Sequence, residues 1–492
     1  MTSEEPGDSS VVRRDRFSGG PARGFLSSLA ADERIFEADL AVDRAHVVML
    51  AERGIVDGET AGAILAALDD VEAAGHGALP DGEDVHEAVE SAVIARVGPD
   101  GGRMHTARSR NDEVAACIRY RLREDALSVV EATLALREAL AETAAAHVET
   151  TMPGYTHLQP AQPTTVAHHL LSYEAAVARD TARLLDAYGR INRSPLGAAA
   201  FAGTPFDVDR ERTAELLGFE GVLGNSMDAS SARDFLAETL SALATHAVTL
   251  SGLAEDLVVF SNRGYVDLSD DYSSTSSIMP QKKNPDTLEL VRACAGDAVG
   301  DLAALLTTLK GLPRAYNRDL QRAHRHAFDA ADVVGEATAV AAGAVRTATW
   351  NEGALAAAAG EGFSTATGVA DLLAMAGVPF RTAHEIVAAA APDVEDGDDP
   401  ATVAAKLDAA AEGVLGENLR THVNRDDLEA ALDPARSAES RDSAGGPASP
   451  AVAAQLDAAA DRIDADAEAL TAGRDALAAA ADRLETEVDR RV

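Results

Sequence analysis

Residues 111–151 read NDEVAACIRYRLREDALSVVEATLALREALAETAAAHVETT, with neither glycine nor proline. Apolar residues recur at Val114, Ile118, Leu122, Leu127, Val130, Leu134 and Leu140, at steps that suit one or two faces of a helix. At roughly 1.5 Å per residue such a helix is about 60 Å long. Pro153-Gly154 ends it. Pro163 stands where a first helical residue belongs, and the pattern resumes from Thr164 to Ile191. Further long helices are expected over Ala229–Phe260, Asp286–Leu312 and about Ala323–Trp350. Helices of this length pack as a bundle and carry more apolar surface than one chain covers, so self-association is expected. Strand signals are sparse, and the fold class is all-α.

Outward from this bundle, assigned to residues 108–360, the chain divides into an N-terminal helical domain (1–107) and a small helical C-terminal domain (361–492). The first carries a loop at Gly75–Asp84. The last is broken at Pro392–Pro400 and Ser437–Pro450, and its Ala451–Val492 stretch suits an exposed amphipathic helix. No repeat of 20–50 residues is present.

The 43 basic and 81 acidic residues give a net charge of −38 over 492 residues. Such a field argues against nucleic acid or an anionic membrane as partner. Only Lys282, Lys283, Lys310 and Lys406 are lysines. An acidic, lysine-poor surface suits a protein kept soluble in concentrated salt, where screening removes self-repulsion. Cys117 and Cys294 have no CxxC or His-spaced companion, so neither a disulfide framework nor a zinc site is expected. Met1–Ser10 lacks a signal pattern and no uncharged apolar run is long enough to cross a bilayer, so a cytoplasmic location is expected.

The chemistry sits in four polar loops, each abutting a helix start where free N–H groups favour anions. They are His105–Asp112, Gly154–Pro163, Ser273–Pro285 and Tyr316–Gln321. The third places five hydroxyl residues, Ser273 to Ser277, before Pro280 and two of the four lysines. By composition alone this is a serine-rich surface turn. The functional reading is a lid carrying a reactive hydroxyl beside a positive charge. Taken singly, His157 also fits a capping or core role, Arg108 and Arg110 fit surface charges, and Glu289 fits a first-turn carboxylate.

Together the loops resemble the fumarase/aspartase superfamily of lyases, whose signature is Gly-Ser-Ser-x-Met-Pro-x-Lys-x-Asn-Pro. Here Thr275-Ser276-Ser277-Ile278-Met279-Pro280-Gln281-Lys282-Lys283-Asn284-Pro285 departs at only the first fixed position. Arg108-Ser109-Arg110-Asn111-Asp112, Gly154-Tyr155-Thr156-His157-Leu158-Gln159, and Tyr316-Asn317 followed by Asp319-Leu320-Gln321 are similar to the argininosuccinate lyase family. The resemblance covers roughly residues 16 to 460. It implies a three-domain all-α homotetramer whose long helices form one shared bundle, with loops of three subunits at each active site. It also implies reversible cleavage of L-argininosuccinate to L-arginine and fumarate, with no metal or organic cofactor.

Such an elimination removes a proton beside a carboxylate and expels a guanidino nitrogen. The resemblance implies Ser276 as base and His157 as acid or positioning group. Glu289 would pair with His157, and Lys282 with Asn284 would stabilise the carbanion's carboxylate. A free serine hydroxyl is too weak an acid for this role, so its alkoxide needs Lys282, the helix end or lid closure. The binding residues implied are Ser28, Asn111, Thr156, Tyr316, Gln321 and His324, with Arg108, Arg110 and Arg233 as structural or carboxylate contacts.

Three positions depart from the family pattern. Thr275 replaces a glycine, which would matter if that position needs φ > 0. Ala107 replaces a glycine before Arg108. His324 replaces a carboxylate-binding lysine, which predicts pH-dependent binding or a takeover by Arg322 or Arg325. Rival readings are another lyase of the superfamily, such as adenylosuccinate lyase, and a non-catalytic relative of the crystallin kind. The latter has no need of His157, Ser276, Lys282 and Glu289, all of which are present.

Overall fold

The computed structural model describes residues 22–492. The reading of Met1–Ser10, the first residues of the 1–107 assignment and the start of the resemblance at residue 16 fall outside the described residues.

The expected bundle is present. Its helices are Arg110–Ala146, Val166–Ile191, Asp234–Asn262, Asp286–Leu309 and His324–Thr347. Ile118, Leu122, Leu127, Val130, Leu134 and Leu140 are all buried, as the spacing requires. The centre also holds a polar pin. His246 reaches Asp180 (3.3 Å) and Thr338 (3.0 Å), joining three helices at a buried point. Helix Asp234–Asn262 is long and apolar enough to cross a membrane by composition, but half of that apolar window is buried inside the molecule.

The ends differ from expectation for local reasons. The first helix stops at Ala146, because residues 151–156 leave to form a strand. Pro163 is not a first helical residue. It pairs with Pro153 in the hairpin Thr151–Thr156/Gln159–Thr165, and the next helix starts at Val166, capped by the Thr165 hydroxyl on the His168 N–H. At Gly154 an added Cβ would stand 2.5 Å from the Gln162 carbonyl, so the bulge there needs glycine. The expected Ala229–Phe260 helix is two, Ser226–Ser231 and Asp234–Asn262, broken where Arg233 turns away from helical backbone. Helix four ends at Leu309. The fifth runs His324–Thr347, and Thr349–Trp350 pairs with Val266–Asp267 instead of continuing it.

Three helices, Phe36–Glu52, Gly58–Ala74 and Val85–Val97, share one hydrophobic cluster with the first bundle helix. A separate cluster runs from Val369 to Leu432. The expected exposed tail helix is Ser449–Asp489, and it is exposed on one side only. Ile463, Leu470, Leu484 and Val488 are buried against the bundle. Ion pairs fix its register: Arg137 bridges Glu174 (3.0 Å) and Asp466 (2.5 Å), and Arg474 grips Glu131.

Candidate active site

A cavity of about 370 Å³ opens where helices Arg110–Ala146 and Asp234–Asn262 begin and helix Asp286–Leu309 ends. It gathers seven of the sequence-predicted residues: Ser28, Arg110, Asn111, Arg233, Tyr316, Gln321 and His324. Ser28 is held at both ends, its N–H on the Glu83 carbonyl (2.8 Å) and its hydroxyl on Asp32 (2.7 Å). Asn111 sits in a first turn closed by a capping box between Ser109 and Asp112, and its amide donates to the Ala200 carbonyl (3.1 Å). Gln321 donates to the Leu26 carbonyl (3.1 Å). Burial raises the Tyr316 hydroxyl above its ordinary value, so it stays neutral.

Asp32, Glu83, Asp84, His86 and Arg318 are further polar residues of this wall. Arg110 faces Asp84 (3.1 Å), and Arg318 pairs with Glu83. Asp32, His86 and Arg318 were missed by sequence reasoning. The usable signal was Glu83-Asp84-Val85-His86-Glu87, four titratable side chains in five positions.

Arg108 does not line the cavity. Its side chain is buried between Asp43 (2.6 Å) and Glu113 (3.0 Å), which makes it a strut beneath the site. Behind the wall His86 Nδ1 meets Asp39 (2.6 Å). Burial alone would lower this imidazole, but Asp39 and Glu113 outweigh it and hold it well above its ordinary value. Asp39, His86 and Cys117, and likewise Asp39, Asp43 and Glu113, lie close enough to share a metal ion. Arg108 already neutralises two of these carboxylates and His86 Nδ1 is committed to Asp39, so the donors are spent on one another.

Ala107 has φ +64°, so the position that carries alanine holds the left-handed backbone where glycine is at ease. Thr275 is different. It lies in extended backbone paired with Lys283, so its side chain meets no such strain. Arg322 and Arg325 are exposed and do not line this cavity within one chain, whereas His324 does.

The remaining predicted residues lie at the other end of the bundle. The 37-residue helix Arg110–Ala146 spans about 55 Å from the cavity to the hairpin that carries Thr156 and His157. The 24-residue helix Asp286–Leu309 spans about 36 Å to the lid with Ser276, Lys282 and Asn284, and Glu289 lies in its first turn. His157 and Leu158 form the two-residue turn between Thr156 and Gln159, with φ +58° and +57°. A turn with both central residues left-handed matches strand twist but normally takes Asn-Gly. Here it holds an exposed imidazole at a hairpin tip. Tyr155 Oη, 2.9 Å from Tyr265 Oη, ties that hairpin to the segment leading into the lid.

In the lid, Ser274–Thr275 pairs with Lys283–Asn284. Ser276 lies just inside, and its Oγ accepts from the backbone N–H groups of Met279 (3.1 Å) and Ile278 (3.4 Å). The two lysines separate. Lys283 pairs with Asp267 (3.2 Å) and Asp270 (3.0 Å), whereas the exposed Lys282 has no carboxylate partner among the described residues. Among those residues no hydrogen bond or ion pair joins His157 to Glu289, Ser276 or Lys282 within one chain.

The long-helix bundle and its loops define a lyase of the fumarase/aspartase kind. The lyase family profile matches residues 24–300, and the argininosuccinate lyase C-terminal profile matches residues 363–439. The chain is 72% identical to the argininosuccinate lyase of Natronomonas pharaonis, with 93% of this chain and 92% of that one covered. Identity is 71% to the protein of the same name in Haloarcula marismortui (92% and 91% covered) and 49% to that in Methanosarcina acetivorans (89% and 90%). Among solved structures, EDDS lyase in complex with formate superposes with a TM-score of 0.85 at 34% identity, covering 96% of each chain. The class II fumarase of Schistosoma mansoni shares the fold (TM-score 0.70, 14% identity, 85% and 94% covered). The chain belongs to the argininosuccinate lyase family.

Proposed function

We propose that this protein cleaves L-argininosuccinate reversibly to L-arginine and fumarate, with Ser276 as base and His157 as acid or positioning group. The observation that carries the base assignment is the pair of backbone N–H groups aimed at Ser276 Oγ. An alkoxide there gains two fixed donors at no reorganisation cost. Ser276 takes the proton beside the carboxylate as the carbon–nitrogen bond breaks, and the departing guanidino nitrogen takes a proton on the His157 side. Lys282, which pairs with no carboxylate among the described residues, and Asn284 stabilise the charge that builds on the adjacent carboxylate. Glu289 orients His157 when their loops meet.

The distance between the two halves supports a site completed by other copies, and hence a homotetramer. Val299 and Leu306, 48% and 49% exposed and seven residues apart on one face of helix Asp286–Leu309, leave apolar surface open there, which suits a shared bundle. Lys282 and Arg233, which pair with no carboxylate among the described residues, leave small positive islands in an acidic protein, which suits a substrate with three carboxylates. The dense acidic surface suits a saline cytoplasm.

The test is fumarate absorbance on adding argininosuccinate or adenylosuccinate, each in molar and in dilute salt. Fumarate from argininosuccinate alone is the expected result. No fumarate from it under molar salt overturns the proposal.

A further inference from the structure

The loop that carries Ser276 has a narrow neck. Its outgoing arm, Lys283–Asn284, pairs with Ser274–Thr275 over only two residues on each side. Behind the neck lies a cavity of about 810 Å³, lined by Asp267, Lys283, Asn284, Trp350, Asn351 and Glu352, so the neck is not packed against the core there. Inside the pairing the Ser276 N–H donates to the Lys282 carbonyl (3.1 Å), and the Lys282 N–H donates to the Met279 carbonyl (2.9 Å). How Ser276 stands relative to Lys282 therefore depends on how firmly the neck keeps its register.

The base under the neck is fixed. Val266 and Leu268 are buried and Val266 pairs with Trp350, so the alternation of the ribbon turns Asp267 outward. Asp270 opens the short turn Asp270–Tyr272, which is seated on helix His324–Thr347. There Tyr272 stands so close to Gly343 that an added Cβ would lie 1.9 Å from its hydroxyl. The Ser269 carbonyl accepts from the Ser273 hydroxyl (2.9 Å), and the Ser269 hydroxyl accepts from Thr347 of the same helix (3.2 Å). One ammonium joins this base to the outgoing arm: Lys283 Nζ reaches both Asp267 (3.2 Å) and Asp270 (3.0 Å). The incoming arm is tied separately, by the Ser274 hydroxyl on Asp286. The side chains of Lys283, Asp267 and Asp270 are 33%, 76% and 97% exposed, and pairs this open shift an equilibrium by at most about fivefold. That scale suits a latch that must release in every turnover. Without the ammonium, Asp267 and Asp270 repel one another at the neck.

We infer that Lys283 is a positioning residue for the reaction: it latches the lid neck to Asp267 and Asp270, and so keeps Ser276 and Lys282 in register without touching substrate. The inference rests on Ser276 acting as the base. It divides two adjacent lysines by task, Lys282 toward the reacting carboxylate and Lys283 toward the protein.

The experiment combines steady-state cleavage of argininosuccinate with amide hydrogen exchange over residues 273–285, both on the assembled protein in molar salt. Lys283→Met should lower kcat about fivefold and leave KM within twofold, because the lost contact is not made to substrate. The Ser276 and Lys282 amides should exchange about fivefold faster in that variant. Lys283→Arg, which restores a cation, should bring kcat back to within twofold of wild type. Asp267→Asn combined with Asp270→Asn should reproduce the Lys283→Met loss, and adding Lys283→Met to that pair should cost nothing further. Wild-type kcat or wild-type exchange in Lys283→Met overturns the inference. So does a KM rise at constant kcat, which would make Lys283 a substrate contact, or losses that add in the triple variant. Exchange is read without turnover: if argininosuccinate is not cleaved while exchange rises in Lys283→Met, the reaction assignment falls and the latch stands.

Discussion

Arg108 Nη1 lies 2.6 Å from a carboxylate oxygen of Asp43, and both side chains are 1% exposed. The arginine that the loop motif offers as a substrate contact is therefore spent inside the protein, between Asp43 and Glu113. Replacing it with alanine leaves two carboxylates buried without their cation. Arg108→Ala should cost about 3–5 kcal/mol of folding stability. Arg108→Lys should recover little of it, because a single ammonium does not reproduce the fork. Denaturant unfolding in molar salt measures this, and a loss below about 1 kcal/mol would show that the pair is not structural.

Ser276→Ala and His157→Asn act on the other half of the site. Both side chains stand on turns that owe little to core packing, His157 at an exposed tip and Ser276 in the lid. Each variant should lose most turnover, by a factor on the order of 100 or more, and keep the wild-type assembly. Fumarate release and light-scattering mass are the two readouts. Wild-type turnover in Ser276→Ala would exclude it as base.

His46 gives the protein an acid limit. It is fully buried with Nε2 2.8 Å from the Thr106 carbonyl. Burial, then Arg108, lower it to about 3, so the folded state favours the neutral ring. An unfolded histidine titrates near 6.5, so the unfolded chain binds the extra proton between that value and about 3. Stability from this group is complete above pH 6.5 and is lost as pH falls, by up to about 1.4 kcal/mol per pH unit. His46→Gln should flatten that part of the slope in denaturation curves at pH 6, 5 and 4. An identical slope in the variant would assign the acid limit elsewhere.

The charge of −38 makes salt part of the structure. Dilution below molar salt lengthens the reach of acidic repulsion and should loosen the proposed tetramer. Scattering mass at high and low salt is the measurement, and equal masses would count against it.

Residue order alone determined that the fold is an all-α bundle, because glycine-free helical periodicity leaves little else for Asn111–Ala146 to be. It also determined the chemistry-bearing loops, since hydroxyl, lysine and imidazole types recur at a recognisable spacing. Local boundaries were less legible. Pro163 fits a helix start or a strand equally well until Pro153 is seen opposite it. Only the tertiary structure decided which charges face a cavity and which brace it. Arg108, Arg110 and Arg233 look alike in the chain, yet one is a buried strut, one is tied to Asp84, and one has no carboxylate among the described residues. Partner choice depends on distances of a few ångströms between segments far apart in order, and desolvation then turns those distances into charge states. Linear spacing carries neither quantity.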